Sequence, residues 1–275
     1  MTDVNARFVD ELVESGIERR EARWLVEEFV PLGDESAHEA LLRAAARRRN
    51  GEPLQYILGH WPFRSLDLDV DVRALIPRPE TEELVGVALS ELAAGSSLAP
   101  LIVDLGAGTG AIGLSLLGEL MSRGVLASLI AVDESSEALA LARQNARKHH
   151  LSAVSFVHSS WFGSLDPSLK GRVDLVVANP PYVDAAEFST LDPVLRYEPR
   201  GALVADSVGG VRGFADLEVI ICESYQWLAP TGVLVCEHGD TQRDAVLNAA
   251  RAAGYLEMND LDDMAGLPRV LVARR

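Results

Sequence analysis

Apolar and polar positions follow two different patterns along the chain, and the change falls near residue 75. Before it, apolar side chains recur at the spacing of amphipathic helices, and breaks such as Pro31-Leu32-Gly33 divide them into at least three short helices. Between residues 63 and 72, Leu and Val alternate with Asp, which predicts a half-buried strand or hairpin. The prolines at 77 and 79 argue against helix over residues 76–80, so we expect a helix capped by Thr81 that ends near Gly95.

From residue 100 onward, short β-rich apolar runs alternate with helical segments, of which 137–149 and 241–253 are the clearest. This alternation predicts an α/β fold with a mostly parallel sheet covered by helices on both faces. We therefore expect two domains, a helical domain at 1–73 that ends in the start of a hairpin linker and an α/β domain at 74–275. The runs that predict strands are 101–105, 129–132, 154–157, 175–178, 233–236 and 270–273.

Composition excludes several classes of protein. Among the 275 residues, 48% are hydrophobic, which suffices for a substantial core. The net charge of −16 disfavours non-specific binding to nucleic acid or to acidic membranes. The start of the chain lacks the pattern of a signal peptide and no apolar run is long enough to span a membrane, so we expect a cytoplasmic protein. Cys222 and Cys236 are expected to be buried, reduced thiols, and no metal site is predicted.

A glycine-rich loop carries the densest chemical signal. It follows the predicted strand 101–105 and opens a helix, and Asp133 ends the next strand. Glycines allow a ligand to approach the backbone closely, and a carboxylate at the tip of the second strand can accept hydrogen bonds from both ribose hydroxyls. The pattern therefore predicts a nucleoside cofactor. The loop residues with candidate roles are Asp104, Gly106, Ala107, Gly108, Thr109 and Gly110.

The same glycines also satisfy the dinucleotide fingerprint G-x-G-x-x-G, so NAD is an alternative. Asp104 weighs against it, because a carboxylate there would face a pyrophosphate poorly but could bind the ammonium of a methionine moiety. S-Adenosylmethionine is the cofactor that these features favour.

The segment Asn179-Pro180-Pro181-Tyr182 follows the predicted strand 175–178. The two prolines fix an extended backbone at the edge where open α/β sheets bind ligands. The Asn179 side-chain carbonyl and the Pro180 main-chain carbonyl could accept two N–H bonds from a planar NH₂ group, and Tyr182 could stack on its flat face. This arrangement suits methyl transfer to an amide or amino nitrogen.

These motifs resemble Rossmann-like S-adenosylmethionine-dependent methyltransferases, and narrower matches resemble the release-factor glutamine methyltransferase family (PrmC or HemK). The narrower matches are 51–59, 75–82, Glu198-Pro199, Glu237-His238-Gly239 and 265–270. The resemblance implies methyl transfer to the side-chain amide nitrogen of the glutamine in the Gly-Gly-Gln motif of class I peptide chain release factors, with S-adenosylhomocysteine as product.

The resemblance also implies roles for individual residues. The family's cofactor positions fall on Gly106 to Gly110, Asp133, Trp161 and Asn179, and its glutamine site falls on Asn179, Pro180, Pro181 and Tyr182. Ser160 stands where the family often carries an acidic residue that reaches the adenine amino group, so we expect a weaker contact there and a larger part for the Trp161 ring. Glu237 and His238 are interpreted as a structural strand end.

A nucleic-acid adenine-N6 methyltransferase is the main rival, because adenine N6 is also a planar amino group. It would need base flipping and phosphate contacts, which the net charge and the lack of a separate target-reading domain disfavour. The basic cluster Arg47 to Arg49 is interpreted as a solvated helix end. A binding module that has lost the chemistry is the second rival. We expect a monomer whose helical domain holds the release factor, with no direct contact to nucleic acid.

Overall fold

The computed structural model describes residues 3–30 and 37–275. The predicted break at 31–33 lies outside these residues. Four helices form the first part of the described chain and pack around a core of their own, which includes Phe8, Leu12, Leu25 and Leu41. They are α1 (Asp3–Glu14), α2 (Arg19–Phe29), α3 (His38–Arg49) and α4 (Leu54–Leu58).

A β-hairpin follows, formed by β1 (His60–Phe63) and β2 (Leu66–Asp69). The alternation of Leu with Asp predicted it, and Leu66 and Leu68 are indeed buried while Asp67 is exposed. Phe63, Leu66 and Leu68 pack into the core of the larger domain and not into that of the four helices. We therefore propose that the domain boundary lies near Gly59 instead of between residues 73 and 74.

The larger domain is an α/β unit around a seven-stranded sheet with the order β10-β11-β9-β6-β3-β4-β5. The five strands from β9 to β5 in that order are parallel, and β11 and β10 are antiparallel additions. The strands are β3 (Leu101–Leu105), β4 (Ser128–Asp133), β5 (Val154–His158), β6 (Val173–Ala178), β9 (Leu228–Glu237), β10 (Glu257–Asp262) and β11 (Pro268–Arg274), with a small pair β7 (Val183–Asp184) and β8 (Val204–Ala205) outside the sheet.

Helices cover both faces of this sheet. One core lies under α5 (Pro79–Ala94), α6 (Ala111–Ser122) and the hairpin, and the second lies under α8 (Ala215–Trp227) and α9 (Arg243–Ala253). The remaining helix, α7 (Ser136–Lys148), joins β4 to β5. The predicted Rossmann-like architecture, with a helical region before it, is confirmed. No helix in the described part of the chain is long and apolar enough to cross a membrane.

The chain reverses its winding direction next to β3. From β3 it continues to β4 on one side, whereas from β6, on the other side of β3, it continues away toward β9. Loops that leave two neighbouring strands in opposite directions open a crevice at their carboxyl ends, where open α/β sheets bind ligands. The glycine loop after β3 and the Asn-Pro-Pro-Tyr segment after β6 meet at this crevice.

Two local predictions were wrong. Helix α5 begins at Pro79 with Arg78 as its N-cap, so Thr81 lies inside the first turn and does not cap it. Proline suits this position because its fixed φ is helical. A backbone N–H in the first turn has no acceptor within the helix, so its absence in proline costs no hydrogen bond. Cys222 is exposed, while Cys236 is buried as expected. Cys222 lies on α8, where an apolar stretch still presents one side to solvent.

The arginines at the end of α3 are largely engaged with carboxylates. Arg47 pairs with Glu52 and Arg48 pairs with Glu21, the latter through Nε at 2.8 Å. Arg49 is exposed. Two of the three charges are thus balanced within the helical domain, which fits the prediction of a solvated helix end.

Candidate active site

The glycine loop joins β3 to α6 in a conformation that favours glycine. Gly106, Gly108 and Gly110 have φ values of 74°, 55° and 83°, in the left-handed region that L side chains rarely adopt. The N–H groups of Gly106 and Ala107 donate to the carbonyl of Val132 at 2.9 Å. The loop is therefore held against the end of β4.

Asp104 lies beneath this loop and is fully buried. Its Oδ2 accepts a hydrogen bond from the Gly113 N–H at 2.9 Å, and its Oδ1 has no partner among the described residues. A Cβ on Gly113 would lie 2.7 Å from the same carboxylate, so glycine permits this contact. Burial raises the pKa of the Asp104 carboxyl to about 7, and the charge of Asp133 acts in the same direction. The observed contact of Asp104 is with the first turn of α6, and its contact with an ammonium stays a prediction.

Asp133 ends β4 and its carboxylate lies at the mouth of the loop. Oδ2 accepts from the Gly108 N–H and Oδ1 from the Ser135 N–H, both at 2.8 Å. Burial raises the pKa of this carboxyl, while the two N–H bonds oppose the shift. Each oxygen keeps further lone pairs. The group is thus fixed in place by the backbone with capacity for two more hydrogen bonds.

A cavity of about 280 Å³ opens between these elements. Seven of the predicted site residues line it, namely Gly106, Gly108, Asp133, Ser160, Trp161, Asn179 and Pro181. Six other predicted site residues lie in the described chain but do not line the cavity, namely Asp104, Ala107, Thr109, Gly110, Pro180 and Tyr182. The structure therefore brings the two predicted loops and the end of β4 together around one space.

Trp161 forms one wall of this cavity. Its backbone has a φ of 42°, an unusual value for a bulky residue, and its Nε1 donates to Asp216 Oδ1 at 3.1 Å. A Cβ built on Gly106 would lie 3.7 Å from the ring, so the indole stands beside the glycine loop. Ser160, which is exposed, lines the same side. The ring is thus held in one orientation by a carboxylate.

At the end of β6, Asn179 is tied to two distant parts of the chain. Its Nδ2 donates to Thr81 Oγ1 at 3.0 Å, and the Thr81 hydroxyl donates to Glu237 Oε2 at 2.9 Å. Tyr182 Oη lies 3.4 Å from Glu237 Oε1. Thr81 and Glu237 are both buried, and burial raises the pKa of the Glu237 carboxyl. Pro180 is buried beside Asn179.

Several residues at the site did not emerge from the sequence as functional candidates. The sequence pattern predicts a helix cap at Thr81 and a strand end at Glu237, and it gives no signal for Asp216. Only Glu237 gives a weak signal, because it ends the apolar run 233–236 and a polar side chain buried there needs a partner. His238 fits its structural interpretation, since it is fully buried between the Gly239 carbonyl and the Asp260 carboxylate. Further wall residues are Arg73, Ala74, Leu75, Pro199, Gly201 and Ala202.

Solved structures with the same fold are methyltransferases. The N-terminal domain of human METTL16 in complex with SAH has a TM-score of 0.55 at 13% identity, covering 97% of this chain and 93% of that one. The T. thermophilus 16S rRNA N2 G1207 methyltransferase, in complex with AdoMet and guanosine, has a TM-score of 0.54 at 17% identity. The match covers 78% of this chain and 49% of that one. These likenesses concern the fold. The methyltransferase small domain model matches residues 87–193.

The fold and the matched domain define a Rossmann-like methyltransferase. The release factor glutamine methyltransferase of Salmonella typhimurium is 40% identical over 228 residues, 83% of this chain and 77% of that protein. The one from Aliivibrio fischeri is 39% identical over 228 residues, and the one from Buchnera aphidicola is 34% identical over 271 residues, 98% of this chain and 92% of that protein. The chain belongs to the release factor glutamine methyltransferase family. The resemblance that the motifs predicted is confirmed.

Proposed function

We propose that this protein transfers a methyl group from S-adenosylmethionine to the side-chain amide nitrogen of the glutamine in the Gly-Gly-Gln motif of class I peptide chain release factors. The observation that carries the proposal is the position of Asn179 and Pro180. They lie at the carboxyl end of β6, where Asn179 and Pro181 line the cavity bounded by the glycine loop and Asp133. Membership in the family supports the substrate.

The residues around the cavity fit S-adenosylmethionine. The Asp133 carboxylate, held by two backbone N–H groups, offers acceptors for the two ribose hydroxyls. The Trp161 ring offers a flat apolar wall for an adenine, and Ser160 offers a hydroxyl beside it. Gly106 and Gly108 bring backbone to the cavity without side chains. Asp104 lies beneath the glycine loop and does not line the cavity, but its Oδ1 is buried without a partner among the described residues, and we propose that it accepts from the ammonium group of the cofactor. When bound, the cofactor supplies a methyl group that is already activated by a sulfonium charge.

The protein's own contribution is to position the acceptor. An amide nitrogen is a weak nucleophile because its lone pair is delocalised into the carbonyl. Asn179 Oδ1 and the Pro180 carbonyl can accept the two N–H bonds of a glutamine NH₂, which orients the nitrogen. Proximity and alignment of this kind can supply several kcal/mol of the barrier. The same two oxygens stabilise positive charge that develops on the nitrogen.

No strong general base is needed in this arrangement, since the methylated nitrogen becomes acidic once it carries charge and can release its proton to water. Glu237 is engaged with Thr81 and Tyr182, and His238 with Gly239 and Asp260. Tyr182 is proposed to bound the glutamine site from the side of β7. Asn179, Pro180 and Tyr182 are thus the residues to which we assign the reaction.

The helical domain is proposed to hold the release factor, because a single glutamine on a loop provides little binding area. We propose a cytoplasmic monomer that does not bind nucleic acid directly. The net charge of −16 and the pairing of Arg47 and Arg48 with carboxylates support this over the adenine-N6 alternative, which the relatives do not favour.

A methyl-transfer assay with radiolabelled S-adenosylmethionine tests the proposal. An intact class I release factor, the same factor with its Gly-Gly-Gln glutamine replaced by alanine, and duplex DNA are offered in parallel. We expect label on the intact factor only, and peptide mass spectrometry should place one methyl group on that glutamine. Label on DNA, or equal label on the alanine variant, would overturn the proposal.

A further inference from the structure

A chain of hydrogen bonds connects the start of α5, the end of β6 and the end of β9. Asn179 Nδ2 donates to Thr81 Oγ1 at 3.0 Å, and Thr81 donates to Glu237 Oε2 at 2.9 Å. Thr81 and Glu237 are 156 residues apart in sequence and have exposed fractions of 4% and 2%. Water is thus largely excluded from Thr81 and Glu237, so their hydrogen-bond partners are other groups of the protein.

The direction of these bonds is determined at the Glu237 end. An ionised carboxylate accepts hydrogen bonds and donates none, whereas a threonine hydroxyl has a single proton to give. With Glu237 ionised, the Thr81 proton is committed to the carboxylate, so Thr81 Oγ1 can only accept from Asn179. The Asn179 amide must therefore turn its NH₂ toward Thr81. Its carbonyl oxygen is left on the opposite side of the amide group.

We infer that Thr81 and Glu237 are positioning residues that hold the Asn179 amide in the one orientation in which its carbonyl oxygen can accept from the substrate NH₂. This inference rests on the proposed function. An asparagine amide has nearly the same shape in either orientation, so packing alone selects weakly between them. In the reversed orientation an NH₂ would face an NH₂, and the substrate nitrogen would lose one of its two acceptors. The hydrogen-bond chain removes this ambiguity.

The groups around Glu237 influence its protonation state, and that state determines the direction of the hydrogen bonds. Burial raises the pKa of its carboxyl, and Glu80 on α5 acts in the same direction. The bonds from Thr81 and Tyr182 and the cation of Arg269 on β11 oppose this shift. Once protonated, Glu237 could donate to Thr81, which could then donate to Asn179 and admit the reversed amide. We therefore expect kcat to fall on the acidic side as Glu237 takes up its proton.

Three single variants test the inference. Thr81→Val keeps the shape of the side chain but removes its hydroxyl. We expect kcat on the release factor to fall about 10–100-fold, which is less than the fall expected for Asn179→Ala. Thr81→Ser restores the hydroxyl and should stay within about threefold of wild type. Glu237→Gln should lower kcat and remove the acidic limb that Glu237 contributes to the pH profile. Thr231→Val, at an exposed position near the other end of β9, is the matched control.

A double variant provides a readout that does not depend on packing. In Asn179→Asp, a carboxylate oxygen would face the lone pairs of Thr81 Oγ1. With Glu237→Gln added, the glutamine NH₂ can donate to Thr81, which can then donate to Asp at position 179. We expect the double variant to be at least about threefold more active than the product of the two single effects predicts, because coupled residues are not additive.

The outcomes separate this inference from the proposed function. Affinity for S-adenosylmethionine by calorimetry and the thermal unfolding curve are measured for every variant. Wild-type kcat in Thr81→Val, equal impairment of Thr81→Ser and Thr81→Val, or strict additivity in the double variant overturns the inference while the function stands. A wild-type protein that does not methylate the release factor overturns the function itself. If Thr81→Val fails to fold, the serine variant and the double variant still decide the question.

Discussion

Arg78 and Glu198 form an ion pair across 120 residues of sequence, with Arg78 Nη2 at 2.5 Å from Glu198 Oε1. The other carboxylate oxygen accepts from the Ile76 N–H at 2.9 Å. The Glu198 side chain is only 1% exposed. This single carboxylate therefore fastens the segment before α5 to the loop that precedes β8. Pro199, Gly201 and Ala202, the residues that follow, line the cavity.

Replacing Glu198 should affect both stability and cofactor binding. Glu198→Ala would leave the buried Ile76 N–H without its acceptor and Arg78 without its partner, and we expect a loss of about 1–3 kcal/mol in the free energy of unfolding. Affinity for S-adenosylmethionine should fall as well, because the wall of the cavity is anchored through this residue. Urea unfolding and calorimetry measure the two effects. Unchanged stability would show that the ion pair contributes nothing net.

Asp133→Ala should weaken binding of S-adenosylmethionine by about 1.5–3 kcal/mol, the scale of lost hydrogen bonds to a charged acceptor. Calorimetry measures this directly, and NAD should show no measurable binding to the wild-type protein. Asp244→Ala, an exposed acidic residue in the first turn of α9, is the control and should leave the affinity unchanged. An unaltered affinity in Asp133→Ala would mean that the ribose is held elsewhere.

Asp104→Asn is expected to change how stability depends on pH. The carboxyl of Asp104 has a pKa of about 7 in the folded protein against 3.8 for a free side chain. The folded state therefore binds the proton more tightly, and stability falls as pH rises between these two values. Asparagine can still accept from the Gly113 N–H but never ionises. We expect the variant to be more stable than wild type near pH 8 by up to about 4 kcal/mol, at ~1.4 kcal/mol per unit of pKa shift.

The gain in Asp104→Asn should shrink as pH falls and disappear below the unfolded-state pKa of 3.8, where the wild-type carboxyl is protonated in both states. Denaturant unfolding across this range without ligand makes the comparison. If Asp104 also binds the ammonium, the more stable variant should bind S-adenosylmethionine more weakly. A stability difference that does not vary with pH contradicts the first expectation, and an unchanged affinity contradicts the second.

Asn179→Ala should reduce turnover on the release factor by about 10²–10³, because it removes one preorganised acceptor of the reacting NH₂. Cofactor affinity should fall less, since the glycine loop and Asp133 are untouched. Asn179→Asp should retain some activity, because a carboxylate still accepts an N–H. Single-turnover rates at saturating substrate separate these effects from binding. Methylation by Asn179→Ala at the wild-type rate would make the segment a structural turn.

Truncation distinguishes the two possible domain boundaries. A chain that begins at His60 keeps the hairpin whose Phe63, Leu66 and Leu68 belong to the core of the larger domain, so it should fold and bind S-adenosylmethionine. A chain that begins at Arg73 lacks these side chains and should be far less stable. The first should lose turnover on intact release factor if the helical domain holds the substrate. Undiminished turnover would contradict that role.

Hydrophobic periodicity was sufficient to predict the parallel core of the fold. The runs at 101–105 and 175–178 belong to central strands that are buried on both faces, so every position except Asp104 is apolar and the signal is strong. Strand β10 was not predicted because it is an edge strand in which Glu257, Asn259 and Asp262 carry polar side chains. The start of α5 was misplaced because proline was treated as a breaker, although it is well suited to the first turn.

Most of the site residues that the sequence predicts follow one another along the chain, and Asp133 was predicted because it ends the strand after the glycine loop. The glycine loop and the segment 179–182 are contiguous, so spacing reveals them. Thr81, Asp216 and Glu237 reach the site from three different elements, and only the sheet brings them together. Their polar atoms form hydrogen bonds with residues that are distant in sequence, so no local sequence pattern indicates them. Sequence spacing therefore found many of the residues that line the cavity and missed Thr81, Asp216 and Glu237, whose hydrogen bonds connect Asn179 and Trp161 to other elements.

The orientation of the Asn179 amide, with its NH₂ directed to Thr81, also bears on chemical ageing of the substrate. Side-chain amides hydrolyse slowly in water, and a glutamine becomes a glutamate whose oxygens only accept. Against the Asn179 carbonyl and the Pro180 carbonyl, such a residue would place oxygen against oxygen with no proton between them. Sites built to bind an N–H reject analogues that lack it by about 10⁴–10⁵. If the proposed function holds, a deamidated release factor would remain unmethylated, so the methyl group would be found only on factors whose glutamine is intact.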